Sequence, residues 1–559
     1  MSFKKILTLN VLAASLVACG GGDINIQPSV TSNTTGTSST GGSSSNSVCA
    51  AYTVGGTTFQ GTLSGNNCQY DTSFVDIDNP LTVDVTFQAL PNNGVHVFAG
   101  SLVVGENFNT DAGLTAAGIT AGGDGPTLAI GAGSTLAFQS SDDFMVINRG
   151  SQIVANGTPV APITITSQTD AVFGTVGPED VQQWGGLVIN GFGVTNKCAY
   201  TGTRGTDLAL AGECHVVAEG QASAGETNYG GNNDADNSGT MRYVVVKHTG
   251  AEVAPGNELN GIAFNAVGSG TTVEFLEVYS VYDDGIEFFG GAVDIDNYVA
   301  VYAKDDSIDI DEGYRGTITN ALVIQSETDG NRCVESDGIG SYSDVSATPG
   351  AVADLMARGL NSAATILNMT CIVSANEVGT HDPGAGLRIR EAHVPIIRNS
   401  IVTTAYSGDE KLGDDDFNWC VRIDDEGGPA ALAGDLEITN TVLACQDLID
   451  GDLGGGSSTL TWLDTPAFNN ATYQSAEAGE DPTETSNTNL EILDGFYSLL
   501  STVPAGSPGA DGIMNINGET VPTPAGETYI GAVISTDDWT AGWTYGLHPG
   551  SRAQALWFE

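Results

Sequence analysis

Asp283-Asp284-Gly285-Ile286-Glu287-Phe288 recurs as Asp305-Asp306-Ser307-Ile308-Asp309-Ile310 roughly 22 residues later. Between the copies, Asn297-Tyr298-Val299-Ala300-Val301 recurs as Asn320-Ala321-Leu322-Val323-Ile324, roughly 23 residues on. Arg332-Cys333-Val334-Glu335-Ser336 continues the first pattern, and Gly386-Leu387-Arg388-Ile389-Arg390 and Cys420-Val421-Arg422-Ile423-Asp424 share its phase. Two strand-like pieces per repeat suit one coil of a solenoid whose strands stack coil upon coil. A propeller blade would need about 40 residues and four strands. The repeat predicts an all-β chain folded as a parallel β-helix.

Upstream, the same short-strand grammar reaches back to about Thr127. Thr127-Leu128-Ala129-Ile130, Thr135-Leu136-Ala137-Phe138, Phe144-Met145-Val146-Ile147 and Pro162-Ile163-Thr164-Ile165-Thr166 alternate or are wholly apolar, and Gly, Asn or Asp punctuates them. Helical periodicity is nearly absent. The organisation read from this is a signal at 1–18, a lipidated cysteine and tether at 19–48, and an N-terminal cap at 49–124. The β-helix then runs over 125–453, and a C-terminal extension covers 454–559, with Gly454-Gly455-Gly456-Ser457-Ser458 at the change.

Trp184-Gly185-Gly186-Leu187-Val188-Ile189-Asn190-Gly191, Asn257-Glu258-Leu259-Asn260-Gly261 and Asp283 to Gly291 resemble segments of secreted and lipid-anchored right-handed β-helix proteins of Gram-negative bacteria. The resemblance spans about residues 125–450. It implies the right-handed form of the fold and carries no particular chemistry.

The N-terminus sets the compartment. Lys4 and Lys5 precede an apolar run from Ile6 to Val17, too short to span a bilayer. Leu16-Val17-Ala18-Cys19 resembles the lipobox of bacterial lipoproteins, which implies cleavage before Cys19 and acylation of its thiol. Two or more acyl chains anchor a protein stably where one does not. Gly20 after the cysteine resembles lipoproteins sent on to the outer membrane, so the expected location is the outer membrane, facing outward. Residues 20–48 are mostly Gly, Ser, Thr and Asn with little apolar content, which reads as a flexible tether.

Composition narrows the partners. The 559 residues carry 68 Asp plus Glu against 17 Lys plus Arg, a net charge of −51. Such a field repels nucleic acid and attracts cations. Setting Cys19 aside leaves Cys49, Cys68, Cys198, Cys214, Cys333, Cys371, Cys420 and Cys445, an even number in an exported chain where disulfides persist. Spacing alone leaves the connectivity open, and nearest-neighbour pairing suits a modular body. The absence of a Cys-x-x-Cys pair argues against structural zinc.

Stacking would place Glu287, Asp309 and Glu335 in one column about 4.8 Å apart. Ile286, Phe288, Ile308, Ile310 and Val334 then point inward and the acids outward. Arg388 and Arg422 have the phase to continue the column, and Arg315 and Arg332 are nearby counter-charges. Asp283, Asp284, Asp305 and Asp306 would cluster at the preceding turns, where they either cap backbone amides or hold Ca²⁺. Asn232-Asn233-Asp234-Ala235-Asp236-Asn237-Ser238-Gly239 is a second candidate calcium loop through Asp234 and Asp236, without the distal glutamate of an EF-hand.

Three functions compete. The first is a non-catalytic surface scaffold that binds a polysaccharide, a matrix or a partner protein. A polysaccharide lyase or a glycoside hydrolase would use Glu287, Asp309, Glu335 and Arg388. Arg388-Ile389-Arg390 loosely resembles the Arg-x-Lys of polygalacturonases, but their His-Gly pair is absent, and an acidic face suits a polyanion poorly. The expectation is therefore the scaffold, with Ca²⁺ as its cation.

Overall fold

The computed structural model describes residues 48–559 apart from 121, 220–226, 255–256, 375–383, 405–418, 446, 473–489, 493–497, 501–512, 516–527, 535 and 558–559. The signal, Cys19 and the tether up to residue 47 thus lie outside the described residues.

Alternating and β-branched segments form short strands that assemble into two long sheets, of ten and nineteen strands. The ten-stranded sheet is parallel throughout, from Leu102–Val104 to Asp447–Asp450. Ile286 lies beside Ile308 and Glu287 beside Asp309, the register that the recurring hexads predict. The chain is a right-handed parallel β-helix, the hand that crossover connections between parallel strands favour.

The nineteen-stranded sheet supplies the other faces of each rung. Its long strands Gly239–Lys247, Thr272–Val281, Asp294–Ala303 and Thr317–Ile324 each turn a corner at a left-handed residue: Tyr243, Phe275, Asn297 and Asn320. In later rungs the corner falls at Asn368, Asn399, Asn440 and Asn469. Asparagine tolerates this conformation, and its amide bonds from rung to rung. Asn399 Nδ2 donates to Asn368 Oδ1 at 2.7 Å, and Asn368 Nδ2 to Asn320 Oδ1 at 3.0 Å.

Inward residues form one continuous core along the axis. Its aromatics stack across rungs, as in Phe138–Trp184 at 4.7 Å, Phe264–Phe288 at 5.4 Å and Phe288–Tyr314 at 4.1 Å. Cys49–Cys68, Cys198–Cys214, Cys333–Cys371 and Cys420–Cys445 are all bonded, the nearest-neighbour set. At one end the antiparallel hairpin of Ala51–Val54 and Thr57–Gln60 stacks Tyr52 on Phe59. Toward the other, the helix Thr459–Leu463 starts at the Ser458 N-cap, whose hydroxyl accepts from Thr461 N, and buries Trp462 and Leu463.

Parallel pairing begins well before residue 125. Asn67–Tyr70 pairs with His96–Phe98, and Leu102–Val104 with Met145–Ile147. These early rungs lack the Asp-Asp hexad and are joined by Pro- and Asn-rich turns, which hides them from the repeat.

Two covers lie on the outside of the helix. The excursion between Asn190 and Gly239 contains two small antiparallel hairpins and the Cys198–Cys214 bridge. Its Ala218 and Tyr229 pack on the outward apolar column Val103, Val146, Val188 and Ala263. A C-terminal strap, described at 529–534 and 536–557, crosses the outer side of the nineteen-stranded sheet. Its Ile530, Ala532, Val533, Trp543, Leu547 and Leu556 join the outward residues there in a second hydrophobic cluster.

Candidate functional site

The outward column of the ten-stranded sheet changes character along the axis. Val103, Val146, Val188 and Ala263 lead in register to Glu287, Asp309, Glu335, Arg388, Arg422 and Asp450. Strand period places Ile286, Phe288, Ile308, Ile310 and Val334 in the core behind these charges. Arg388 and Arg422 thus occupy the rungs that follow Glu335. A parallel outward column, two residues on, carries Asn190, Asn265, Phe289 and Asp311, and Asp337 and Arg390 share its phase.

Outward does not mean exposed here. Glu287 and Asp284 are each only 7% exposed, and Asp309 is half-buried. Asn260 Nδ2 donates to Glu287 Oε2. Oxygens of Asp284, Glu287 and Asp309 lie within 4.8 Å of one another, as do those of Asp283, Asp284 and Asp305. Asp309 Oδ1 is buried with no hydrogen-bond partner. Burial first, and then the surrounding acids, push Asp284, Glu287 and Asp309 well above the usual carboxylate range. Hard carboxylate oxygens that converge in this way would fit a divalent cation such as Ca²⁺ and do not suit a soft metal.

The turn aspartates also have structural work. Asp284 Oδ1 accepts from Asp306 N at 2.9 Å, and Asp306 Oδ1 from Arg332 N at 2.7 Å, a ladder that ties each turn to the next. Asp305 Oδ1 accepts from Asn331 Nδ2 at 2.6 Å. Backbone capping therefore accounts for Asp306, while Asp284 serves the ladder with one oxygen and faces Glu287 and Asp309 as well.

Three rungs further, arginines replace the cluster of acids. Arg388 Nη1 bonds Glu335 Oε1 at 3.0 Å, and Arg390 Nη2 bonds Glu335 Oε2 at 2.9 Å. Arg390 also grips Asp337 through Nε at 2.5 Å and Nη2 at 3.0 Å. Arg422 joins Asp424 at 2.8 Å and Asp450 at 2.7 Å. Burial raises the Glu335 carboxyl, and Arg390 and Arg388 oppose the shift. Arg332 sits over the Trp419 ring at 5.0 Å and stays near the acids. Arg315 does not: it donates to Asn361 O and Oδ1, both at 3.2 Å, away from the acidic turns.

The loop of Asp234 and Asp236 takes a different form. Asp234 receives Arg204 on both oxygens, at 2.8 and 2.7 Å. Asp236 Oδ2 accepts from Phe192 N at 3.0 Å, and burial pushes this carboxyl up to about 6. Arg204 and Phe192 lie in the excursion as well, so the two carboxylates tie segments of the excursion to each other. Among the described residues, neither belongs to a converging group of metal-ligand atoms.

Asp111, Glu213 and His215 do converge. Arg149 Nη2 lies 2.7 Å from His215 Nδ1, and an arginine can only donate. Nδ1 therefore carries the lone pair and Nε2 the hydrogen, with Asp111 Oδ1 3.1 Å from Nε2. A metal would need that lone pair at Nε2.

Sequence reasoning missed Asp311 and Asp337 in the adjoining column and weighed Arg390 only as part of an Arg-x-Arg motif, although all three follow the same alternation. It also missed Glu312, whose Oε2 accepts from Thr195 Oγ1 at 2.6 Å and Tyr229 Oη at 2.7 Å beneath the excursion. Contacts across 117 and 83 residues leave no local signal.

Comparison with curated proteins and with solved structures finds no match. A family model described as a pectate-lyase-like β-helix domain matches residues 108–444, more than half of the chain. Its span covers the rungs that carry Glu287, Asp309, Glu335, Arg388 and Arg422, so the outward charged column is built on the family's own frame. The chain belongs to the pectate-lyase-like β-helix family.

Proposed function

We propose that the protein is a non-catalytic binding scaffold, whose outward charged strip holds an extended glycan with Ca²⁺ seated at Asp284, Glu287 and Asp309. The observation that carries this reading is the pairing of the strip's arginines. Arg388, Arg390 and Arg422 are each committed to carboxylates on their own or neighbouring rungs. An arginine held this way is a hydrogen-bonding surface and a poor proton acceptor. The unsatisfied oxygen of Asp309 supports a cation at the acidic end. A bound cation would also let a strongly negative chain contact a glycan that bears carboxylates. The lipid on Cys19 would hold this body at the outer membrane.

A second reading, cleavage of the same glycan, is favoured by the family match and by acids and arginines sharing one column. One experiment separates the two. A panel of neutral and uronate-containing polysaccharides is titrated against the protein with 2 mM Ca²⁺ (on the order of an extracellular site's affinity) or with EDTA, and unsaturated products and new reducing ends are followed in parallel. The scaffold reading expects Ca²⁺-dependent binding that Glu287→Gln and Asp309→Asn abolish, without product. Product that disappears in those variants would replace scaffold by enzyme. Binding indifferent to Ca²⁺ and to both substitutions would remove the acidic cluster from the site. Membrane fractionation of Cys19→Ala tests the anchor, and retention equal to wild type would place it elsewhere.

A further inference from the structure

On the nineteen-stranded sheet, one outward column runs in register through Val245, Glu277, Val299, Leu322, Thr370 and Ile401. All six are buried beneath the C-terminal strap. Four are apolar, and the two polar ones fall where the strap presents a backbone amide. Tyr545 N donates to Glu277 Oε2 at 2.8 Å, and Ala532 N donates to Thr370 Oγ1 at 2.9 Å. A threonine meets such an amide at little cost. A glutamate brings a second oxygen and a titratable charge, and Glu277 is 0% exposed with Oε1 lacking any hydrogen-bond partner.

The charged and titratable groups around Glu277 do not cancel that charge. From the sheet, Lys247 lies on the preceding rung, and its ammonium is taken by Asp170 of the 168–183 loop at 2.8 Å. The same ammonium sits 4.0 Å from the centroid of the Tyr545 ring of the strap. Asp170 also accepts from Thr166 Oγ1 and stands 3.9 Å from His248 Nε2. Lys247 and Asp170 therefore neutralise each other, and an ionised Glu277 would remain an uncompensated buried anion.

We propose that the strap is a proton-gated cover, closed while Glu277 is neutral and loosened as that carboxyl ionises, which bares the apolar outer face of the sheet. Burial pushes Glu277 well above the usual glutamate range, with the Tyr545 amide and Lys247 opposing the shift. The sign follows from linkage. A carboxyl raised in the closed state takes up a proton on closing, so closure is strongest below the free carboxyl value of about 4.3 and weakens as pH rises. The closing constant falls by up to about tenfold for each pH unit until the closed-state value is passed. Opening uncovers a contiguous apolar surface several rungs long, of the kind that drives association.

Hydrogen exchange of the full-length protein is measured at several pH values from about 5 to 8. Protection factors of strap peptides are corrected for intrinsic rates at each pH and referred to the strand Thr127–Ile130, which carries no titratable side chain. Wild type is expected to lose strap protection steeply with pH while the reference strand holds. Glu277→Gln keeps the amide's acceptor without the charge and is expected to hold strap protection flat across the range. Thr370→Val removes the other amide's acceptor and is expected to lower strap protection by the same factor at every pH. Equal pH slopes in wild type and Glu277→Gln, or wild-type strap protection that does not change over the range, would overturn the proposal. If Glu277→Gln fails to fold, the slopes of wild type and Thr370→Val decide: a flat wild-type profile overturns it, and a shared steep slope supports it.

Discussion

The two outward faces of this solenoid rest on the same kind of inward core and differ in what they present. On the nineteen-stranded sheet, Val299, Leu322 and Ile401 stack outward and the chain covers them with its own C-terminal strap. On the ten-stranded sheet, the outward column begins apolar under the excursion after Asn190, then turns acidic at Glu287 and basic at Arg388. Inward residues decide that rungs stack. Outward residues decide what lies on top, and on the proposed reading the charged column is the part kept for a cation and a ligand.

The largest effect is expected behind both faces, not on them. Phe288 is fully buried between Phe264 and Tyr314, so Phe288→Ala should cost about 3–5 kcal/mol in denaturant unfolding. A loss below about 1 kcal/mol would mean that the core is not shared along the axis. Next comes the cation. Ca²⁺ at a hundred times its Kd should stabilise by about 2.7 kcal/mol, read as a shift in melting temperature against EDTA. That gap should widen with pH. The raised carboxyls of Asp284, Glu287 and Asp309 favour the fold when protonated, so apo stability falls as pH rises through their folded values, and Ca²⁺ replaces the lost protons. Asp143 and Glu391, pushed mainly by burial up to about 6 and about 7, add to the same decline above the ordinary carboxylate range. A gap that is constant with pH would place the ion elsewhere.

The arginine end sharpens the comparison on a smaller scale. Arg390→Met strands Glu335 and Asp337, both mostly buried, and should cost about 1–2 kcal/mol. Arg422→Met removes a pair that is 36% exposed on the arginine side, and should cost under about 1 kcal/mol. A reversed order in chemical denaturation would show that exposure does not rank these pairs. The smallest effect is expected for Asn399→Gly, which keeps the left-handed corner and breaks one link between corners, about 0.5 kcal/mol measured the same way.

How much of this was legible depended on distance along the chain. Glu287 and Asp309 read as neighbours because no insertion separates their rungs. Arg388 and Arg422 had the right phase, yet the helices at Tyr342–Ser346 and Ala351–Ala357 and other added residues lengthen their coils, and only the pairing places them. Asp234 looked like a calcium ligand because its partner Arg204 stands 30 residues upstream with no pattern to announce it. The strap was invisible for the same reason. Tyr545 meets Glu277 across 268 residues, and a lone glutamate in an apolar strand gives no hint of what satisfies it.

The disulfides have a mechanical consequence. Each closes a short stretch of chain, of 16 residues in the excursion and of 19, 25 and 38 residues within or between neighbouring rungs. Under a pull applied between the two ends of the body, rungs would unravel in series, and every unlocked residue would lengthen the molecule by about 3.5 Å. The Cys333–Cys371 loop alone withholds roughly 130 Å of that extension. A rod built this way yields in limited steps and keeps its middle rungs, where the charged column sits, from being drawn out into thread.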